Sequence, residues 1–136
     1  MKLVIPAERC WLQVADAALD AAFQALGAQS PQRLAFAARE AFINALQVIE
    51  EQGGDSEIEI QLSSDDGWIE IRVTDPGPGL PEGWRLKLDD PPPEDSLTSL
   101  SGRGLMFIRR FVDELSSERD TDGRHILIMR KRRGEC

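Results

Sequence analysis

The chain has 136 residues, with 16 Lys and Arg against 24 Asp and Glu for a formal net charge of −8, 41% hydrophobic residues, one His and two Cys. Such a composition describes one compact soluble domain over residues 1–136, large enough to bury a core without disulfides or a structural metal. It excludes a generic nucleic-acid binder, which needs clustered Lys and Arg, a closed zinc site, which Cys10, Cys136 and one His cannot assemble, and a membrane span of roughly 20 apolar residues.

Leu3 to Ile5 reads as an opening strand or arm, and Pro6, Glu8 and Arg9 interrupt it too early for a signal peptide, so a reduced, cytoplasmic protein is expected. From about Glu8 to Leu26, Trp11, Val14, Ala15, Ala18, Ala22, Ala25 and Leu26 recur at helical spacing, and Gly27 is placed to end that helix. Trp11 and Phe23 are its candidate exposed aromatics. Ser30-Pro31 supplies an N-cap and a first-turn proline for a second helix on Leu34, Ala38, Ala41, Ala45 and Val48, which stops at Gly53-Gly54. The period then changes to two. Ile58, Ile60 and Leu62 alternate with polar residues, Ser64-Asp65-Asp66-Gly67 turns, and Trp68, Ile69, Ile71 and Val73 complete a hairpin in which Trp68 is expected in the core.

Residues 75–104 hold six of the eight prolines, which excludes one regular element and points to a functional loop or lid. A third helix is expected from about Arg103 to Leu115. A final hairpin follows, its arms near Leu115 to Arg119 and His125 to Arg130, turning at Thr121-Asp122-Gly123. His125 reads there as an ordinary strand residue, and Arg130 to Arg133 as a solvated tail. The expected fold is a two-layer α+β sandwich, an antiparallel or mixed sheet of about four to five strands with three helices on one face.

Three local features carry chemistry. Glu40 and Asn44 stand one turn apart on one face of the second helix, beside Ala41 and Ala45; alone, the pair would read as a solvated helix edge. Asp75-Pro76-Gly77-Pro78-Gly79 follows a strand end, where a carboxylate can accept hydrogen bonds from an amino-bearing ring and glycines admit a flat ligand. Alone, it would read as a turn. Ser101-Gly102-Arg103-Gly104-Leu105 opens the third helix, where free backbone N–H groups, the helix dipole and Arg103 favour an anion, although neither the Walker A nor the Rossmann spacing is present.

In this order, the three features resemble the N box and the two glycine boxes of the GHKL (histidine-kinase-like) ATPase superfamily, over Leu34 to about Lys131. Within it the chain looks most like the anti-sigma factor serine/threonine-protein kinases, whose second glycine box has a similar run to Ser101-Gly102-Arg103-Gly104-Leu105…Ile108…Phe111-Val112-Asp113-Glu114. The resemblance implies a Bergerat-type ATP-binding fold with a long lid over about 80–101, and ATP and Mg²⁺ as cofactors. By the same resemblance Glu40 is the general base or water-orienting carboxylate, Asn44 the Mg²⁺ ligand and Asp75 the acceptor for the adenine amino group. Gly77 and Gly79 shape the adenine pocket, and Gly102, Arg103, Gly104 and Leu105 hold the phosphates. The implied function is phosphorylation of a STAS-domain anti-anti-sigma partner and sequestration of a sigma factor by partner switching, with homodimerisation common among relatives and neither nucleic acid nor membrane as a direct partner. The alternative is a nucleotide-gated protein-binding module with little or no kinase activity. A histidine-kinase catalytic domain is disfavoured, because the sequence has neither a dimerisation helix pair nor a phosphoacceptor His in a helix. One departure stands out: family members often have His four residues beyond the Asn, and this sequence has Val48.

Overall fold

The structure is a computed structural model that describes residues 1–53, 56–77, 79–80 and 100–133, with 100–104 described in backbone only. The chain runs β1 (Lys2–Pro6), a short 3₁₀ turn (Arg9–Trp11), α1 (Leu12–Ala25), α2 (Pro31–Glu51), β2 (Glu57–Ser64), β3 (Trp68–Asp75), α3 (Leu100–Phe111), β4 (Glu114–Arg119) and β5 (His125–Arg132). Among the described residues the strands form one five-stranded sheet in the order β1-β2-β3-β5-β4, with every pairing antiparallel. The expected α+β sandwich is therefore present, and of the two sheet types left open the antiparallel one is realised. The expected lid over about 80–101 falls almost entirely at positions 81–99, outside the described residues.

Local sequence explains most element ends. At the end of α1, Gly27 has φ +73°, and the Ala28 and Gly27 N–H groups donate to the Phe23 and Gln24 carbonyls, the paired bonds of a Schellman stop. Pro31 opens α2, whereas the Ser30 side chain makes no capping bond, so the backbone and proline alone set that start. The β2–β3 turn is held by Asp65 Oδ1, which accepts from the Gly67 and Trp68 N–H groups at 3.2 and 3.1 Å. Asp120 Oδ1 does the same for the β4–β5 turn, accepting from Asp122 and Arg124 at 3.0 and 2.8 Å. The third helix begins and ends earlier than its apolar pattern suggests. Asp113 already belongs to the sheet edge, its N–H donating to the Arg130 carbonyl at 2.9 Å and its Oδ2 accepting from the Arg132 N–H at 2.7 Å.

Alternation divides the sheet into an inner and an outer face. The β3–β5 register pairs Ile71 with Met129 and Val73 with Leu127 on the inner face, and these four side chains are buried with Ile58, Ile60 and Leu62 of β2. Over them lies α2, flanked by α1 and α3, with Leu34, Phe42, Leu46 and Ile49 buried. Phe23 is buried in this core as well, against the exposure expected for it, because its position on α1 falls on the same face as Ala15 and Leu19.

The outer face carries ion pairs instead. Trp68 stands there half-buried rather than in the core, because its parity in β3 is opposite to that of Ile69 and Ile71. The Arg130 guanidinium lies 4.4 Å from the Trp68 ring centroid and that of Arg132 lies 5.3 Å away, while Arg130 Nη1 meets Glu114 Oε2 at 3.0 Å. Arg133 Nη2 donates to the Leu26 carbonyl at 2.7 Å. The basic run is thus built into β5 and its exit, where it covers an aromatic and caps a helix end, and is not a solvated tail.

The two faces predict unequal costs. Ile71→Ala, at a fully buried site on the central strand, should lower the unfolding free energy by about 2–5 kcal/mol in urea titration. Trp68→Ala, which removes a cation–π stack on the solvent side, should cost about 1 kcal/mol.

Candidate functional site

Where α2 crosses the ends of β3 and β5, the apolar core gives way to polar side chains. Ala41, Asn44, Ala45 and Val48 recur at three and four along one face of α2 and wall a cavity of about 50 Å³. Opposite them stand Val73 and Asp75 of β3, Gly79 and Leu80 beyond it, Leu105 of α3, and His125 and Leu127 of β5. Two alanines where larger residues would fill the space leave the room.

Asp75 is buried at 7% exposure, and its Oδ1 accepts the Gly77 N–H at 2.7 Å. A carboxylate in such a place is held by the backbone on one side and retains lone pairs toward the cavity. The turn that positions it tolerates no larger residue at 77, because a Cβ there would collide with Val48 Cγ1 and lie 2.7 Å from Asp75 Oδ1. Gly79 has φ +86°, and a Cβ on it would sit 3.1 Å from His125 Cδ2. Both glycines are therefore required by close approach, one by helix α2 and one by the imidazole of β5.

Four of the residues singled out by sequence, Asn44, Asp75, Gly79 and Leu105, line this one cavity, and Gly77 forms the turn beside it. Glu40 does not line it. It stands one turn before Asn44, half-buried, where burial raises its carboxyl pKa above the ordinary 4.5 against the lowering effect of Arg39. Gly102, Arg103 and Gly104 lie in the opening turns of α3, and their side chains are outside the described residues.

His125 was not foreseen as part of the site. It is 6% exposed, its Nε2 is 2.7 Å from Ser117 Oγ, and its Nδ1 is 3.6 Å from Asp75 Oδ2. It is a strand residue, as expected, and the partner that the sequence did not reveal is Asp75, directly opposite it across the β3–β5 pairing. Parity was the available signal, since Leu127 and Met129 are spaced by two from His125 on the inward face. Val48 packing on Gly77 had no sequence signal at all.

A larger depression of about 460 Å³ lies between α1 and α2, lined by residues that include Asp16, Asp20, Phe36 and Arg39. It is an open groove that holds none of the converging groups named above, and chemistry follows convergent polar groups rather than volume. Arg39 and Asp16 face each other there at 3.6 Å.

With this geometry in place, a family model for the histidine kinase-like ATPase domain matches residues 7–131. The chain belongs to that family. Among solved structures, a chain of the SiaB–SiaC complex from Pseudomonas aeruginosa is similar in fold, with a TM-score of 0.61 at 19% identity over 97% of this chain and 89% of that one. No curated protein matches the chain in sequence. ATP is the ligand such a domain implies, and no helix among the described residues is long and apolar enough to cross a membrane.

Two substitutions test the local geometry. Gly77→Ala should destabilise the fold by about 1–3 kcal/mol through overpacking, and Val48→Ala in the same chain should recover part of that loss, a coupling measurable by a double-mutant denaturation cycle. Burial makes the folded chain hold the Glu40 proton to higher pH than the unfolded chain does. Its stabilising contribution is therefore complete below pH 4.5 and is lost as pH rises through the folded-state value. Glu40→Gln should accordingly melt at or above the wild-type temperature at pH 7, with the difference vanishing in acid.

Proposed function

We propose that the chain is an ATP-binding regulatory serine/threonine protein kinase of the anti-sigma type, which phosphorylates a STAS-domain anti-anti-sigma partner and sequesters a sigma factor by partner switching. The observation that carries the nucleotide part is the buried Asp75 carboxylate, anchored by the Gly77 N–H and turned to a cavity that Asn44 shares, in a chain of an ATPase family. The partner part rests on the motif resemblance. It is consistent with the similar fold having been solved in a complex named for two proteins, SiaB and SiaC.

The residues suit ATP and Mg²⁺. A buried carboxylate accepts an exocyclic amino group, the alanine floor and the glycine turn admit a flat ring, and an amide oxygen at Asn44 is a hard ligand of the kind Mg²⁺ takes. At about 50 Å³ the cavity is far below the roughly 300 Å³ of a small-molecule site, so base binding parts its walls. Bound MgATP supplies the γ-phosphoryl group and neutralises its charge. Asp75 would receive the base, Asn44 would offer its oxygen to the metal, and the backbone N–H groups that open α3 would hold the phosphates, with Arg103 the cation that the motif resemblance implies there. Glu40, half-buried and with a raised pKa, would accept the proton of the serine hydroxyl as its oxygen bonds to the γ-phosphorus and the bond to the β–γ bridging oxygen breaks, ADP leaving with that electron pair. Positive potential is local in this reading, as an overall charge of −8 requires.

The second reading is a nucleotide-gated protein-binding module without transfer. Val48 favours it: an apolar side chain packed on Gly77 stands where many relatives carry His.

MgATP at a hundred times its Kd should stabilise the chain by about 2.7 kcal/mol in thermal melts, and Asp75→Asn should abolish the shift. Glu40→Gln should keep the shift but fail to transfer ³²P from γ-labelled ATP to a STAS protein. Binding without any phosphoserine in the wild type would select the second reading.

A further inference from the structure

Among the described residues the site buries one titratable side chain to which the proposed chemistry gives no task, and it is the only histidine in the chain. His125 contacts Ser117 at Nε2, faces Asp75 at Nδ1 and lines the cavity with its ring. These contacts select a tautomer. A bare Nδ1 lone pair 3.6 Å from Asp75 Oδ2 would be repelled by the carboxylate, so the proton belongs on Nδ1, and Nε2 accepts the Ser117 hydroxyl proton. The Asp75 carboxylate is thereby flanked by two donors, the Gly77 N–H on Oδ1 and the His125 N–H facing Oδ2. Only the first is a hydrogen bond at this spacing. The Nδ1 contact is too long for a hydrogen bond as it stands, in the range from which contacts at binding sites shorten once a ligand is held.

We propose that His125 is a positioning residue for base selection: pinned by Ser117 and facing Asp75, it holds the Asp75 carboxylate in the orientation that accepts the exocyclic amino group of an adenine nucleotide. This rests on the nucleotide reading of the site and assigns that site's base preference. Ser117 and His125 lie on adjacent strands and both face inward, so the register of the last hairpin, not the glycine turn alone, sets how Asp75 meets the base. Gly79 completes the arrangement, since a side chain there would press on the ring at Cδ2.

The full-length chain is titrated calorimetrically with MgATP and with the Mg²⁺ complex of purine riboside triphosphate, which lacks the exocyclic amino group. Wild type should prefer ATP. His125→Phe keeps a ring but removes both nitrogens, and should weaken ATP binding about tenfold while changing the analogue by no more than about twofold. Ser117→Ala should move in the same direction by a smaller factor. Equal weakening of both ligands, or an undiminished ATP preference in His125→Phe, would overturn the positioning role while leaving the nucleotide site standing. Failure of the wild type to bind either ligand overturns the nucleotide reading and this inference together. Should the Phe variant not fold, the single histidine gives an unambiguous ¹⁵N NMR signature in the wild type. An Nδ1–H tautomer that is lost in Ser117→Ala supports the role, and an Nε2–H tautomer in the wild type overturns it.

Discussion

The antiparallel register of β3 against β5 is the constraint on which the rest of the molecule depends. It sets Ile71 beside Met129 and Val73 beside Leu127 as the middle of the core, and the next pair in the same row is Asp75 with His125. Core and site are thus one continuous row, apolar at one end and ionisable at the other. A slip of one residue would turn all of these side chains to the solvent face, so the burial energy of the apolar pairs also fixes the geometry of the polar one.

Helix α2 is the second half of that arrangement. One face carries Leu34, Phe42, Leu46 and Ile49 into the core, while Ala41, Ala45 and Val48 lie against the strand ends. The close approach of Val48 to the Gly77 backbone locks helix and turn together, so Asn44 and Asp75 are held on opposite walls of one cavity by packing rather than by a bond between them. Glu40, a turn away and outside the cavity wall, keeps enough burial to raise its pKa. The same helix therefore presents two polar groups in different environments.

Charge is distributed to match. The helix-covered face of the sheet is apolar until Asp75 and His125, whereas the open face balances Arg72, Arg130 and Lys2 against Glu70, Glu114 and Glu59. Exposed pairs of this kind add little stability each, and their effect is to make an uncovered sheet face compatible with water. The arginines near the end of the chain are consumed in this surface and in the α1 stop, which is why they do not form a free basic tail.

Element types and their order along the chain were legible from local pattern alone. Helical spacing, the proline at 31, Asp65 in the first hairpin turn and the glycine at 27 are local signals, and local physics obeyed them. The ordered Glu40/Asn44, Asp75 to Gly79 and Gly102 to Leu105 features were also legible, because spacing along a helix or strand end is a property of the chain alone. What needed the tertiary structure was every relation across elements: that Phe23 faces in and Trp68 faces out, that Arg130 stacks on that Trp, that Val48 excludes a side chain at 77. His125 is the sharpest case. A lone histidine in a strand carries no information about its neighbour, and only the pairing of two hairpins, decided by the apolar residues between them, brings it to Asp75 and Ser117.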